Sequence, residues 1–351
     1  MVVCDRVTEI RPSLNRLIIR ALSHDAKRND DYFYLRRIHW ALVCSRLADR
    51  RPGICTGGLT VASTSHEPPT SCRDFEVGQE PVPGFRLIEH LGPDGETYKA
   101  EGPGGFRVAL QWQRRKHLRK SLDLFKDIRH PHVLAIFGVW SADEVDIVAM
   151  ELAECTLSDR LRQGSEKGIA PLELLQYMED AAKGLDYLNA PRHTLLGKSG
   201  MSVVHGDIKP VHLRLVGGHV KVAEFIHAEC VDPTQPDEER GHVLACTPAF
   251  AAPERVQGVV SVQADQYSLA ASYYYLRTGR HLFSSASVRE ILRRCQEEDP
   301  DLAPLPVHER RVLLRALARK PKDRWPTCLA FVNALKKAMA ADTRHWWQLW
   351  K

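Results

Sequence analysis

The sequence predicts an α+β fold in two lobes, a small five-stranded antiparallel sheet with one helix followed by a larger, mainly helical lobe. Three observations carry that expectation. Short alternating apolar runs separated by Gly- and Pro-containing turns fill residues 85–151, and long segments with helical apolar spacing begin near residue 172. The chain has 351 residues, 44% hydrophobic and 26% charged, enough for one large core or two ordinary ones. Strands first and helices afterwards segregate into layers rather than alternate, which is the α+β pattern.

Residues 1–52 form an N-terminal extension with two amphipathic stretches, Leu14 to Leu22 and Tyr32 to Leu47, the second preceded by Asp30 and Asp31 as caps and ending in the basic Arg46, Arg50 and Arg51. A solvated helical or disordered leader is expected there. Residues 53–82 are dense in Gly, Pro, Ser and Thr and read as a linker. The small lobe, 83–151, opens with "FRLIEHLG", "ETYKAE" and "FRVALQWQ", three antiparallel strands joined through "PDG" and "GPGG" turns. A helix is expected from Arg114 to Ile128, then strands at "HPHVLAIFGVW" and "VDIVAMEL". The large lobe, 152–339, carries helical periodicity at Leu172 to Leu188, Ala264 to Leu276, Ser287 to Glu297, Glu309 to Leu317 and Thr327 to Ala338, before a short tail at 340–351.

Composition narrows the function classes. A net charge of +5, mixed in sign along the chain, gives no case for nucleic acid as the partner. The nine cysteines are scattered without a CxxC or Cys/His cluster, which predicts reduced thiols and a cytoplasmic setting. The first residues lack a signal pattern, and no apolar run reaches the ~18 residues of a membrane span.

The ordered motifs "VAL" (108–110), "RHPHV" (129–133), "VAMEL" (148–152), "HGDIKP" (205–210), "VKVAEF" (220–225), "TPAFAAPE" (247–254), "DQYSLA" (265–270) and "KPKDRW" (320–325) resemble the protein kinase superfamily, most closely bacterial kinases of the eukaryotic serine/threonine type. The resemblance spans about residues 83–339. It implies a Glu254–Arg324 ion pair inside the helical lobe, since either charge alone is costly to bury. It also implies that Asp265 accepts backbone hydrogen bonds from the loop at His205 and Gly206, and that Thr247 bonds the catalytic aspartate and lysine. His130 and Pro131 belong to a turn rather than a metal site.

The resemblance implies ATP and magnesium as cofactors and a protein as substrate or partner, and it assigns Asp207 as catalytic base and Lys209 as the cation near the transferred phosphate. Gly92 and Gly95 lie in the nucleotide flap, but the loop is short, Pro93 lacks an N–H and Asp94 adds negative charge. Gln111 occupies the phosphate-gripping lysine position, and Ser121 falls near its glutamate partner. Lys99, Arg114 and Lys120 are candidate replacements for that cation. Gly206 replaces an arginine that would latch an activation-loop phosphate. His212 replaces the metal-binding asparagine, and magnesium prefers oxygen. Glu224 stands at the metal-binding aspartate of D-F-G, with Ile226 in place of the glycine. Ala109 is the adenine ceiling, Glu151 and Leu152 follow Met150 at the hinge, and Arg214 falls at the apolar floor, where it would fill or charge the pocket.

Three functions follow. The joint exchange of Gln111, Ser121, His212, Glu224 and the flap predicts a pseudokinase, a scaffold or regulatory interaction module. The survival of Asp207 and Lys209 leaves a slow serine/threonine kinase open, and a nucleotide-binding switch without catalysis is the third.

Overall fold

The computed structural model describes residues 75–349 apart from 92–95, 115–124, 126–127, 143–144, 165–167, 196, 236–237, 240–245 and 286. The chain divides into Met1–His66 and Glu67–Lys351, and every described residue lies in the second unit. The leader helices, Gly92 and Gly95 of the flap, Lys120, Ser121 and nearly all of the helix expected at 114–128 therefore lie outside the described residues.

The small lobe is one antiparallel sheet of β1 (Arg86–His90), β2 (Thr97–Glu101), β3 (Arg107–Arg114), β4 (Ile136–Ala142) and β5 (Val145–Glu151), ordered β1-β2-β3-β5-β4. The period-two spacing of β2 buries Tyr98 and Ala100 and leaves Thr97, Lys99 and Glu101 half-covered. Residues 145–150 of β5, which lies between β3 and β4, are buried throughout. Tyr98 and Trp112 pack at 5.2 Å, Phe75 meets Trp112 at 5.5 Å, and the Tyr98 hydroxyl donates to the Phe75 carbonyl at 2.8 Å. Large rings with a satisfied polar tip give a small sheet most of its apolar burial.

The large lobe begins with β6 (Cys155–Thr156) and α1 (Leu157–Gln163), whose start is fixed by a reciprocal capping box between Thr156 and Asp159. Next comes α2 (Pro171–Asn189), entered through a proline that has no N–H to leave unpaired. Its Leu174, Leu175, Met178, Ala181, Ala182, Leu185 and Leu188 form one buried face. Short strands follow, β7 (His193–Leu195), β8 (Lys198–Val204), β9 (Leu213–Val216), β10 (His219–Val222) and β11 (Glu229–Val231). A turn of helix, α3 (Pro253–Val256), precedes α4 (Gln263–Thr278), which is buried along nearly its whole length and stops at Gly279 in the left-handed conformation. Helices α5 (Val288–Glu297), α6 (Val307–Ala316) and α7 (Cys328–Leu349) complete the lobe. The last runs beyond the expected end at Ala338 because residues 339–349 contain no Gly or Pro to stop it.

One continuous core runs from Ala109, Val148 and Met150 of the sheet through Phe225 to the helices. Close backbone contacts at His132 join the lobes. A Cβ on Gly184 of α2 would lie 2.4 Å from the His132 carbonyl oxygen, so only glycine admits this approach. That carbonyl in turn accepts from the Val222 N–H at 2.9 Å.

Deep in the helical lobe, Arg324 Nη1 and Nη2 each lie 2.7 Å from the two Glu254 oxygens, and the guanidinium also donates to the Ala318 and Gln263 carbonyls at 2.8 Å. The Arg324 side chain is 0% exposed and that of Glu254 5%. Every polar edge of the pair is satisfied, so removing one partner strands the other. Arg324→Leu should lower unfolding free energy by about 3–5 kcal/mol. Urea denaturation followed by circular dichroism measures this, and a loss below about 1 kcal/mol would show the pair to be energetically idle.

Candidate functional site

The loop 205–212 leaves the buried end of β8 and is held from below by Asp265, which is fully buried in the first turn of α4. The Asp265 carboxylate accepts the backbone N–H of His205 at 2.8 Å, that of Gly206 at 2.9 Å and the Asn189 side-chain amide at 2.9 Å. Three donors on one buried carboxylate stabilise its charge and fix the loop backbone. His205 is neutral, because burial pushes its pKa down. Its Nε2–H donates to the Ala223 carbonyl at 2.9 Å while Nδ1 accepts the Asp207 N–H at 3.2 Å, a pattern that sets the tautomer.

Asp207 is the centre of a compact polar group. Its Oδ1 accepts the Thr247 backbone N–H at 2.9 Å and the Thr247 hydroxyl at 2.6 Å, and its Oδ2 accepts from Lys209 Nζ at 2.9 Å. Lys209 Nζ also lies 2.6 Å from Thr247 Oγ1. Burial alone would raise the Asp207 pKa, but the hydrogen bonds from Thr247 and Lys209 outweigh it and hold the carboxyl down at about 2. Asp207 is thus an anion with a cation beside it, oriented by a hydroxyl that meets both. His212 donates Nδ1–H to the Asp207 carbonyl at 2.8 Å, and burial, with Lys209 adding to it, depresses its pKa to about 3.

A second polar group forms where the small lobe meets β9 and β10. Glu224 Oε2 receives Gln111 Nε2 at 3.5 Å and Arg214 Nη2 at 3.4 Å, while Oε1 receives Gln113 Nε2 at 3.4 Å. Gln113 Nε2 also donates to Gln111 Oε1 at 2.6 Å, and Arg214 Nη1 reaches the Met150 sulfur at 3.6 Å. Arg214 thus extends from the floor position into the cleft and gives Glu224 its countercharge. Glu224 has φ +70°, the sole non-glycine residue with positive φ among the described residues. That conformation costs about 1–2 kcal/mol, which the carboxylate's contacts help to offset. The next residue, Phe225, stacks on Phe125 at 4.1 Å and meets His205 edge-on at 5.3 Å. His205 therefore contacts Asp207 of the first group and the two chain neighbours of Glu224, Ala223 and Phe225.

The sequence-predicted residues sort into these groups. Asp207, Lys209, His212 and Thr247 come together, as do Gln111, Arg214 and Glu224. Ala109 lies buried opposite Met150 in the β3–β5 register, and Leu152 packs on the core. Glu151 turns its carboxylate to Lys221, at 2.7 and 2.9 Å. Lys99 does not enter the cleft: it pairs with Glu89 at 2.7 Å on the half-exposed β1–β2 ladder. The side chain of Arg114 lies outside the described residues. Sequence reasoning missed Gln113, Lys221 and Asn189. Gln113 was reachable, since a residue two places after Gln111 on a strand shares its face. Lys221 and Asn189 carry no local signal.

A bound magnesium would require oxygen donors at the positions of Glu224 and His212. The first has its oxygens engaged by two amides and a guanidinium, and the second offers a neutral imidazole whose Nδ1–H is already committed. This donor set suits magnesium poorly.

A family model described as a protein kinase domain matches residues 107–335. Serine/threonine-protein kinase Pkn1 of Myxococcus xanthus is 36% identical over 328 residues, covering 84% of this chain and 44% of that protein. Tyrosine-protein kinase MasK of the same organism is 31% identical over 287 residues, 73% of this chain and 43% of that protein. Serine/threonine-protein kinase PknF of Mycobacterium tuberculosis is 26% identical over 279 residues, 72% and 56% respectively. The chain spans about half the length of these curated relatives.

The His212 environment sets a pH dependence. In the unfolded chain this imidazole takes up a proton near pH 6.5, whereas the folded site resists protonation until about 3. Below 6.5 the unfolded state therefore binds more protons, and stability falls with pH until about 3 is passed. Between pH 7 and 5 the wild-type chain should lose about 2 kcal/mol more than His212→Asn. Paired urea titrations at the two pH values check this, and equal losses in both proteins would contradict it.

Proposed function

The chain belongs to the protein kinase family, and from that premise we propose that its domain, residues 83–339, is a pseudokinase: a scaffold or regulatory module for a protein partner, impaired in phosphotransfer. The observation that carries this reading is the engagement of Glu224 by Gln111, Gln113 and Arg214. Phosphoryl transfer needs positive charge around the migrating group and a metal held beside it. An uncharged amide stands at residue 111. The carboxylate that would hold a metal is neutralised by Arg214, so metal entry must first break an ion pair on a side chain only 13% exposed. No helix among the described residues is long and apolar enough to cross a membrane. Free thiols at Cys155, Cys230, Cys246, Cys295 and Cys328 agree with a cytoplasmic setting, which belongs to the same proposal.

One observation favours a second reading, a slow serine/threonine kinase. The Asp207, Lys209 and Thr247 group keeps hydrogen bonds of 2.6–2.9 Å, an anionic base and an adjacent cation. The relatives bear kinase names.

Thermal denaturation with and without ATP and magnesium separates the two. A ligand at a hundred times its Kd adds about 2.7 kcal/mol of stability, visible as a rise in Tm. The wild-type chain should show no rise at millimolar ATP, and Arg214→Leu, which removes the countercharge from the cleft, should gain one. Autophosphorylation by the wild-type chain that Asp207→Asn abolishes would overturn the pseudokinase reading in favour of the enzyme.

A further inference from the structure

Between α4, α5, α6 and the loop after α6 lies a cavity of about 360 Å³, which shares no residue with either polar group of the cleft. Its floor is Tyr267, Phe283, Cys295 and Leu317, each exposed by 5% or less. The polar atoms of that floor are already paired: the Cys295 thiol donates to the Ala251 carbonyl at 3.2 Å, and the Tyr267 hydroxyl lies 3.6 Å from the sulfur. What remains is an apolar surface of two rings, a sulfur and a leucine, continued at the mouth by Leu314, which is 52% exposed.

The mouth is charged, and most of its charges are matched. Glu298 is held by Arg293 and Arg294 at 2.8 Å each, and Asp299 by Arg319 at 2.8 Å. Lys320 and Asp323 also line the cavity and are exposed, but among the described residues neither side chain has an ion-pair partner. They stand at the two ends of a 3₁₀ turn, closed by the Asp323 N–H on the Lys320 carbonyl at 3.1 Å. Residues three apart on such a turn face the same side. An unmatched cation and an unmatched anion thus stand together above an apolar floor.

We propose that the cavity binds a free aromatic α-amino acid, its ring on the floor, its carboxylate at Lys320 and its ammonium at Asp323. An apolar cavity of roughly 150 Å³ admits a benzene ring, so the volume here holds a ring together with the backbone of one residue. Two aromatic walls and a sulfur favour a ring over an aliphatic chain, through edge-on ring contacts and S–aromatic contact. The charges decide the rest. A ligand that is only an anion meets Asp323, one that is only a cation meets Lys320, and a zwitterion matches both. Because the cavity is separate from the cleft, its occupancy requires neither ATP nor phosphotransfer.

Saturation-transfer NMR on the full chain, titrated with L-phenylalanine, tests this. Saturable binding with a Kd on the order of 1 mM is expected, as suits a small ligand held by exposed charges. Lys320→Ala and Asp323→Ala should each weaken it about fivefold, the worth of one exposed ion pair. The losses should be selective: Lys320→Ala should not weaken 2-phenylethylamine, which has no carboxylate, and Asp323→Ala should not weaken 3-phenylpropionate, which has no ammonium. Both substitutions fall at exposed positions, and unchanged melting temperatures would show the fold intact. An amino-acid site is ruled out by absence of saturation at about tenfold that concentration, by equal affinity of the three ligands, by L-phenylalanine binding that either charge variant leaves intact, or by binding that persists in Ala318→Phe, whose ring fills the cavity.

Discussion

The site depends on one buried carboxylate. Asp265, in the first turn of the largely buried α4, holds the N–H groups of His205 and Gly206. A charge at 0% exposure is tolerable only with its hydrogen bonds complete, so the loop cannot move away without leaving Asp265 unsatisfied. That constraint places His205, and His205 in turn reaches Ala223 on one side and the Asp207 N–H on the other. The loop that bears Asp207 is thus held to the helical lobe by a single anion, and through His205 it also meets the backbone beside Glu224.

The two groups are built differently. Around Asp207 the charges balance within a few residues, the donors are short, and the anion is stabilised enough to depress its pKa to about 2. Around Glu224 the contacts are long, 3.4–3.5 Å, and come from two strands, β3 and β9. Their net worth is modest, since long hydrogen bonds between partly buried groups contribute less than short ones. What they accomplish is electrostatic, because a carboxylate in a cleft otherwise invites a cation and Arg214 supplies it. The first group sets an anion beside a cation, and the second gives its carboxylate a guanidinium as internal countercharge.

Much of this was legible from residues alone. The alternation in β2 and the helical spacing from Leu172 are local signals, and the corresponding elements stand where those residues are. The exchanges at 111, 206, 212, 214 and 224 were readable as exchanges by motif spacing. Their consequences were not. Arg214 read as a residue that fills or charges the floor of the pocket, and the fold adds that its guanidinium pairs with Glu224. Gly206 read as the loss of an arginine, whereas Arg255 brings a guanidinium to that position from elsewhere in the chain. Lys99 read as a possible cation for the cleft, yet the β1–β2 register sets it against Glu89 instead.

The sequence by itself determined the five strands of the small lobe and the long helices of the large one, because propensity and apolar period act over a few residues, and it determined which chemical groups stand at each motif position. Only the tertiary structure decided how those groups pair. Gln111 and Glu224 are 113 residues apart and Arg324 and Glu254 are 70 apart. Such contacts depend on how the sheet register and helix packing bring distant backbone together, and a charge chooses its partner only after burial has removed the water that would otherwise satisfy it.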